Sequence, residues 1–203
     1  IKSAFWMLCA CVNFALLNTL VKYLSSEYSI SQIIFFRSFF AIIFILPWLF
    51  NSGFSSLKTK SFKLQIGRSL VAVAAMYLWF YSISNIPLAE ATAINFTAPI
   101  FGAICAIIFL GEKIKKRRFF AIVCSIIGAI IIIRPGFFEY NVYILTALIS
   151  SLLMGLAAVF IKKLSTLDHP NSVVFYMPVL LTIFSFIPCL TYWQQPSIID
   201  FIL

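Results

Sequence analysis

The sequence predicts an all-α integral membrane protein with about seven transmembrane helices. Three observations support this prediction: the apolar composition, the length of the uncharged runs and the uneven distribution of positive charge. Of the 203 residues, 63% are hydrophobic and only 10% are charged, whereas a soluble protein carries about 25% charged residues. A soluble core does not need so many apolar residues, and the surplus would aggregate on a surface that faces water. The surplus is therefore expected to face lipid.

Long uncharged runs define the predicted helices. A helix that crosses a hydrocarbon core of about 30 Å needs about 20 residues at roughly 1.5 Å each. No run alternates with a period of two, so a helix bundle is favoured over a β-barrel. The seven runs cover residues 3–21, 38–57, 69–89, 91–111, 119–133, 140–161 and 170–199.

Two of the predicted spans include an arginine. The second span is expected to begin near Ile30, which puts Arg37 inside the helix. The fifth run is short by about one turn, so we extend it through Arg134 to Phe138 and expect the Arg134 side chain to reach the membrane interface. Arg68, which begins the third span, is likewise expected to be an interfacial anchor.

Lysine and arginine are concentrated in alternate loops. Of the 15 residues of these two types, 12 lie on one side, Lys22 and Arg134 lie on the other, and Arg37 lies within a span. The positive-inside rule then puts the N-terminus in the cytoplasm. This asymmetry accounts for most of the net charge of +9. For the basic run at 113–118, a patch that binds anionic lipid or nucleic acid is the alternative interpretation.

The sequence lacks the motifs of cofactor-binding and enzymatic sites. It has one histidine, and its five cysteines lie within apolar runs, so no metal-binding cluster is predicted. No P-loop and no G-x-S-x-G motif occurs. We therefore predict neither a cofactor nor an enzyme.

Small residues recur at every fourth position in three of the predicted spans. Because this spacing lets helix backbones approach closely, we interpret these residues as packing seams. Pro99 removes a backbone hydrogen bond within the fourth span and is expected to kink it, as a hinge or as a static bend. The seam residues are Ala98, Gly102 and Ala106 in the fourth span, Ala121, Ser125 and Ala129 in the fifth, and Ala147, Ser151 and Gly155 in the sixth.

A weak internal repeat occurs at an offset of 140 residues. V-K-Y-L-S at 21–25 matches I-K-K-L-S at 161–165, and I-I-F-F at 33–36 matches V-V-F-Y at 173–176. Spans one and two then align with spans six and seven, so the repeating unit contains five spans. An odd number of crossings inverts the second copy, as in many secondary transporters. We predict a first five-helix repeat at 1–138 and the first part of a second, inverted repeat at 139–203.

The region from Arg68 to Lys113 resembles the repeat of the drug/metabolite transporter superfamily, in its EamA-type branch. The matching features are I-P-L-A before the fourth span, Pro99 in mid-span, L-G-E at the end of that span, and G-A-I-I-I-I-R-P-G at the end of the fifth. The resemblance implies a ten-helix fold in which two inverted five-helix repeats surround a central substrate cavity. The chain ends at what is expected to be the approach to an eighth span, so we expect it to be truncated.

The resemblance also implies a function. It indicates a secondary transporter that moves a small organic metabolite across the bacterial inner membrane by alternating access. Within the family the chain is most similar to carriers of obligate intracellular bacteria, which implies S-adenosylmethionine or a similar amino or nucleoside metabolite as the substrate. Because no nucleotide-binding motif occurs, we expect gradients or exchange to drive transport. The alternative is a membrane interaction protein without transport, or a degenerate transporter fragment.

Arg37 and Glu90 are the charged candidates for a substrate-binding site. Arg37 lies about 10 Å along the second span, where a charge is costly unless it is paired or hydrated. Its counterpart in the repeat is Met177, and such asymmetry is expected where a substrate breaks the symmetry. Glu90 begins the fourth span at a similar level, where it would pair with Arg37 or attract a cationic group. The alternatives are an arginine that snorkels or binds helix carbonyls, and a carboxylate that stabilises a helix N-terminus.

Four uncharged residues complete the predicted substrate-binding set: Asn13, Tyr77, Tyr81 and Asn95. Amides within spans must find partners away from lipid. Tyr77 and Tyr81 form an i, i+4 pair, and the resemblance implies that their span lines the cavity. Aromatic and amide groups suit an adenine-like or other planar metabolite. The alternatives are hydrogen bonds between helices for the asparagines and interfacial anchoring for the tyrosines.

The expected partners and location follow from the same interpretation. The partners are a small-molecule substrate and the lipid bilayer, without nucleic acid, and a homodimer is left open. The expected location is the cell inner membrane, with several crossings and a cytoplasmic N-terminus.

Overall fold

The computed structural model confirms an all-helical fold for the residues that it describes. It describes residues 2–53, 57–111, 120, 122–124, 127–128, 131, 142–191 and 193–196. Six segments of these residues are long and apolar enough to cross a membrane, since α4 and α5 together form one of them. The helices with defined bounds are α1 (Lys2–Leu24), α2 (Ile30–Ser52), α3 (Phe62–Asn85), α4 (Leu88–Asn95), α5 (Ala98–Leu110), α6 (Val142–Leu167) and α7 (Pro170–Thr191).

Six of the seven predicted spans correspond to these helices. The second begins at Ile30 as expected, after Ser29, whose Oγ accepts a hydrogen bond of 3.3 Å from the Gln32 N–H and caps the helix. Of the fifth predicted span, residues 120, 122–124, 127–128 and 131 are helical. The rest of that span lies outside the described residues, together with its three seam residues, Arg134 and the expected approach to an eighth span.

The fourth predicted span is interrupted. α4 ends at Asn95, the Thr97 N–H donates to the Ile94 carbonyl over 2.9 Å, and α5 starts at Ala98 with Pro99 as its second residue. Proline is tolerated there because the first N–H groups of a helix have no partner within the helix. The structure thus has a break next to the predicted kink, at Phe96 and Thr97, which divides the span into two short helices.

The first and last pairs of spans run in opposite directions. Hydrogen bonds show that α1 is parallel to α3, whereas α6 is antiparallel to α3. α2 and α7 are antiparallel to each other, with Phe35 of α2 against Phe186 of α7 at a ring-centroid distance of 5.7 Å. The pairs that define the directions around α3 are Asn18–Trp79 and Lys22–Ile86 for α1, and Ser82–Tyr143 and Ala75–Ser150 for α6.

α3 lies at the centre of the described bundle. In an 18-residue stretch of the α3 span 44% of the residues are buried, compared with 11% in a stretch of equal length in the α1 span. Trp79 is 2% exposed, and its Nε1 donates to Oδ1 of the buried Asn18 over 2.9 Å, so the core contact between α1 and α3 is also a polar one. The main core residues are Val21, Ile34, Trp79, Phe80, Ile83, Ala91, Ile94 and Ala147.

The predicted seams of spans four and six meet each other. α5 and α6 approach so closely that a Cβ added at Gly155 would lie 2.5 Å from the backbone nitrogen of Gly102 and 2.9 Å from the carbonyl carbon of Phe101. A Cβ added at Gly102 would lie 3.6 Å from the Gly155 Cα, which is an ordinary contact. The structure thus confirms this seam and assigns the steric constraint to Gly155.

The bundle has two ends, which we name after a buried polar residue at each. The Asp168 end contains the turn between α6 and α7, the segment 57–61 and the start of α3. The Gln32 end contains the start of α2, the ends of α1 and α3, and the segment that follows α7.

Candidate functional site

The interruption between α4 and α5 lies at mid-height and brings Asn95 against α6. The Oδ1 of Asn95 is 3.5 Å from the Ser151 hydroxyl. The neighbouring Ser150 hydroxyl donates to the Ala75 carbonyl over 2.8 Å, near the middle of α3. Asn95 therefore lies at the depth where interrupted membrane helices bind their ligands.

Tyr77 points from α3 toward the boundary between α2 and α7. Its hydroxyl lies beside Ser31 and Cys189. The oxygen is buried and makes no hydrogen bond with good geometry to any described residue. Because a buried hydroxyl normally has a partner, the adjacent Ser31 side chain is the described group that competes with a ligand for this atom.

Arg37 lies at the boundary between α2 and α3. One guanidinium nitrogen is 2.9 Å from the sulfur of Met76, the residue before Tyr77, and the side chain is exposed on the surface of the described helices. The structure therefore brings Arg37 and Tyr77 into one neighbourhood. In the part of the chain that the structure describes, no ion pair joins Arg37 to Glu90.

Glu90 lies in the first turn of α4, and its side chain is partly buried. Its N–H donates to the Pro87 carbonyl over 3.0 Å. A carboxylate at this position interacts favourably with the helix dipole, which agrees with the structural alternative for this residue.

Tyr81 and Asn13 lie apart from that neighbourhood. The Tyr81 ring packs against Tyr143 of α6 with a centroid distance of 5.4 Å, and the side chain is 42% exposed. Asn13 is exposed on α1, and its amide donates to the Cys9 carbonyl of its own helix over 2.8 Å. The structure does not bring these two residues together with Arg37, and each makes contacts that a purely structural role explains.

The α6–α7 turn carries a buried carboxylate that the sequence did not single out. Asp168 is 8% exposed and accepts hydrogen bonds from the Thr59 hydroxyl, the Lys60 N–H at 2.9 Å and the Gln65 amide at 3.3 Å. Burial by itself raises the pKa of this carboxyl, but the three hydrogen bonds and the positive charge of Lys60 outweigh burial. The pKa of Asp168 therefore lies below its ordinary value.

Arg68 lies next to this carboxylate network, and the expectation of an interfacial anchor is wrong. The residue is only 5% exposed, because α7 covers it. Its guanidinium donates to the Val173 carbonyl over 2.7 Å and lies 3.0 Å from the sulfur of Met177. Arg68 thus ties α3 to the first turns of α7 instead of reaching the membrane interface.

At the Gln32 end, a buried neutral amide takes the place that the Asp168 carboxylate has at the other end. Gln32 is 2% exposed, and its side chain makes two hydrogen bonds with the backbone of Gln194, of 2.7 Å to the carbonyl and 3.2 Å from the N–H. On the same end, the Lys22 ammonium donates to the Ile86 carbonyl over 2.6 Å. Both contacts join segments that are far apart in the chain.

One sequence signal points to the missed residues at the Asp168 end. Gln65, Arg68 and Ser69 have the i, i+3, i+4 spacing of a single helix face, and three polar residues on one face of a span indicate an internal contact. Their partner Asp168 lies in a loop about 100 residues later, which no local pattern reveals.

A helical bundle with an interrupted span at mid-height has features of secondary transporters. The model of the EamA-like transporter family matches residues 1–134, and the chain belongs to that family. The resemblance seen in the sequence is thus confirmed. The family consists of transporters, which agrees with the prediction that the protein is not an enzyme.

Relatives with different names match most of the chain. A riboflavin transporter of Brucella anthropi is 32% identical over 87% of this chain and 63% of its own length. An S-adenosylmethionine uptake transporter of Rickettsia felis is 29% identical over 95% of this chain and 65% of its own length. The pseudopaline exporter CntI of Pseudomonas aeruginosa is 29% identical over 86% and 61%. The chain spans less than two thirds of the length of these relatives, and no solved structure matches it.

Proposed function

We propose that this chain is part of a secondary transporter that moves a small organic metabolite across the bacterial inner membrane by alternating access. The observation that carries the proposal is the interruption of the fourth span at Phe96 and Thr97. Transporters bind substrates where a helix is interrupted near mid-membrane. Here the N–H groups of Phe96 and Thr97 keep hydrogen bonds to carbonyls of α4, so the group that the interruption offers at this depth is the Asn95 side chain.

The directions of the helices support a second, inverted repeat. α6 and α7 run opposite to α1 and α2, and α7 begins at Pro170, 140 residues after α2 begins at Ile30. This spacing equals the offset of the sequence repeat. We therefore propose the division into a first repeat at 1–138 and the start of a second at 139–203, within a ten-helix protein whose repeats rock against each other.

The proposed substrate site combines the mid-height polar groups with the boundary between α2 and α3. Asn95 and the Tyr77 hydroxyl supply hydrogen bonds, and Arg37 supplies a positive charge that pairs with an anionic group of the substrate. Tyr81 and Glu90 lie toward the Gln32 end of α3 and α4, where we assign them to substrate entry, and Asn13 is assigned to the α1 wall of the path.

A planar heterocycle is the proposed chemical class of substrate. Riboflavin and S-adenosylmethionine, which name two relatives, both contain one, and tyrosine rings stack on such groups. We propose S-adenosylmethionine or a similar amino or nucleoside metabolite as the substrate. The chain contains no nucleotide-binding motif, so we propose that a gradient or an exchanged solute drives transport.

We also propose that the Asp168 end faces the cytoplasm. Five lysines with exposed side chains lie at this end, and positive charge of this kind favours the cytoplasmic side. They are Lys58, Lys60, Lys63, Lys162 and Lys163.

Counterflow into lipid vesicles tests the proposed function. Vesicles that contain the full-length protein are loaded with unlabelled S-adenosylmethionine, or with riboflavin in parallel, and the accumulation of the labelled compound is measured. We expect saturable accumulation of one of them. The proposal fails if neither these compounds nor related metabolites give saturable flux.

Two pairs of variants test the proposed site. Arg37→Ala is expected to lower flux about tenfold at unchanged membrane abundance, since a tenfold change corresponds to about 1.4 kcal/mol of lost binding. Lys63→Ala, which also removes one exposed positive charge but at the Asp168 end, away from the proposed site, is the matched control. Asn95→Ala is compared with Asn85→Ala, because the Asn85 amide binds only the Tyr81 carbonyl of its own helix. Equal flux within a pair removes that residue from the site.

A further inference from the structure

The Asp168 network joins parts of the chain that belong to different proposed repeats. Thr59, Lys60 and Gln65 lie in the segment 57–61 and at the start of α3, in the first repeat, whereas Asp168 lies in the second. The contact spans more than 100 residues of sequence and buries the carboxylate against the first repeat. Movement of one repeat relative to the other at this end must therefore break these hydrogen bonds.

The face of α3 that carries Gln65 also carries a set of buried polar atoms without a partner. They are the Gln65 Oε1, the Arg68 Nε and the Ser69 Oγ, and all three side chains are almost fully buried on one face of α3. Buried polar atoms without partners are costly and rare in a packed core. Their grouping at one place indicates a surface that is hydrated in another conformation of the protein.

We propose that Asp168, Thr59, Lys60 and Gln65 form a latch that holds the Asp168 end of the transport path closed, and that opening the latch exposes the polar face of Gln65, Arg68 and Ser69 to water. This inference rests on the proposed function, because a latch between repeats requires that the repeats move.

The chemistry of the contact suits a structure that opens and closes. When the latch opens, water replaces each hydrogen bond to the carboxylate, so the net free-energy difference between the two states is much smaller than the strength of the bonds suggests. A small difference is what two interconverting conformations need. The unpartnered atoms lower the difference further, because opening hydrates them while it breaks the bonds to Asp168.

Thiol labelling of a reporter cysteine tests the latch without any substrate. Ser69→Cys is introduced into the full-length protein from which all native cysteines have been removed, including the five of this chain. Its reaction with a membrane-impermeant maleimide is followed in detergent, where the reagent reaches both ends. In the parent, Ser69 is fully buried, so labelling is expected to be slow. Asp168→Asn, which removes the charge at nearly constant volume, is expected to raise the labelling rate about tenfold.

A matched pair of threonine variants controls for general destabilisation. Thr59→Ala removes one donor to the carboxylate and is expected to raise the labelling rate about threefold. Thr166→Ala removes a hydroxyl of the same kind near the same turn, but this exposed hydroxyl binds only the Lys163 carbonyl of its own helix, so no change is expected. Equal labelling of the two threonine variants, or of Asp168→Asn and the parent, overturns the latch.

The labelling experiment and the transport experiment test the latch and the proposed function independently of each other. Faster labelling in Asp168→Asn together with no transport of any metabolite contradicts the proposed function but supports the contact that closes this end. Normal transport with unchanged labelling contradicts the latch alone. A rise in labelling that Thr166→Ala reproduces assigns the effect to loosened packing and also overturns the latch.

Discussion

The two ends of the bundle hold α7 against the first repeat by different chemistry. At the Asp168 end, a buried carboxylate accepts three hydrogen bonds, and the buried guanidinium of Arg68 donates to the Val173 carbonyl of α7. At the Gln32 end, a neutral amide makes two hydrogen bonds with the backbone of Gln194, and the aromatic pair Phe36 and Trp193 packs at a centroid distance of 5.7 Å.

This difference shows which end is easier to switch. A buried ionised group is favourable only while its donors are in place, so small movements or a single proton change its energy substantially. A neutral amide against backbone groups, supported by aromatic packing, has no such dependence. The comparison indicates that the Asp168 end responds to conditions while the Gln32 end is the more constant contact.

The largest effect on stability is expected at mid-height, at the contact between α5 and α6. The size of this effect is the reference for the effects at the two ends. Gly155→Ala would put a Cβ 2.5 Å from the Gly102 nitrogen and 2.9 Å from the Phe101 carbonyl carbon, so the backbones of α5 and α6 must separate. We expect the free energy of unfolding in detergent to fall by more than about 3 kcal/mol. Gly102→Ala is the control, because its Cβ meets only an ordinary contact at 3.6 Å. Equal losses in the two variants would contradict the assignment of the constraint to Gly155.

A smaller effect on stability is expected from variants that remove the polar contact at either end, and it compares the two ends directly. Asp168→Ala leaves the Thr59 hydroxyl and the Gln65 amide without their charged acceptor, and we expect it to lower the free energy of unfolding by about 2 to 3 kcal/mol. Gln32→Ala removes two hydrogen bonds between neutral groups, which should cost about 1 kcal/mol, since water can reach the backbone of the segment after α7. Denaturant titration of both variants measures the difference. If Gln32→Ala lowers the free energy of unfolding as much as Asp168→Ala or more, the Asp168 end is not the more sensitive of the two.

The sequence predicts much of this fold because membrane spans are encoded locally. Length and apolar character alone give the six described spans, and Pro99 marks the interruption of the fourth. The small residues at every fourth position indicate the seam between α5 and α6, although sequence alone does not tell that Gly155, rather than Gly102, lacks room for a side chain.

The polar contacts are predicted less well, because their partners are far apart in the chain. Arg68 at the start of a span has the pattern of an interfacial anchor, and only the position of α7 turns it into a buried residue. Asp168 is a loop carboxylate in the sequence and becomes a buried acceptor through a segment about 100 residues earlier. The chemistry of Arg37 and Tyr77 predicts them as site residues. That Arg37 contacts Met76, next to Tyr77, depends on how α2 packs against α3.

The smallest predicted effect is a difference in pH dependence between the ends. The pKa of Asp168 is lower in the folded protein than its ordinary value of 3.8. The stability that its ionised form contributes is therefore complete above the pKa of the unfolded chain and is lost as the pH falls through the pKa of the folded state.

We accordingly expect the difference in free energy of unfolding between the parent and Asp168→Asn to be constant between about pH 7 and pH 5, and to shrink below about pH 4. The difference between the parent and Gln32→Ala should stay constant throughout, because an amide does not titrate. Taking differences from the parent cancels the titration of the other carboxylates. If both differences change in parallel with pH, the charge at the Asp168 end does not distinguish it from the Gln32 end, and the greater sensitivity of that end must then come from the hydrogen bonds alone.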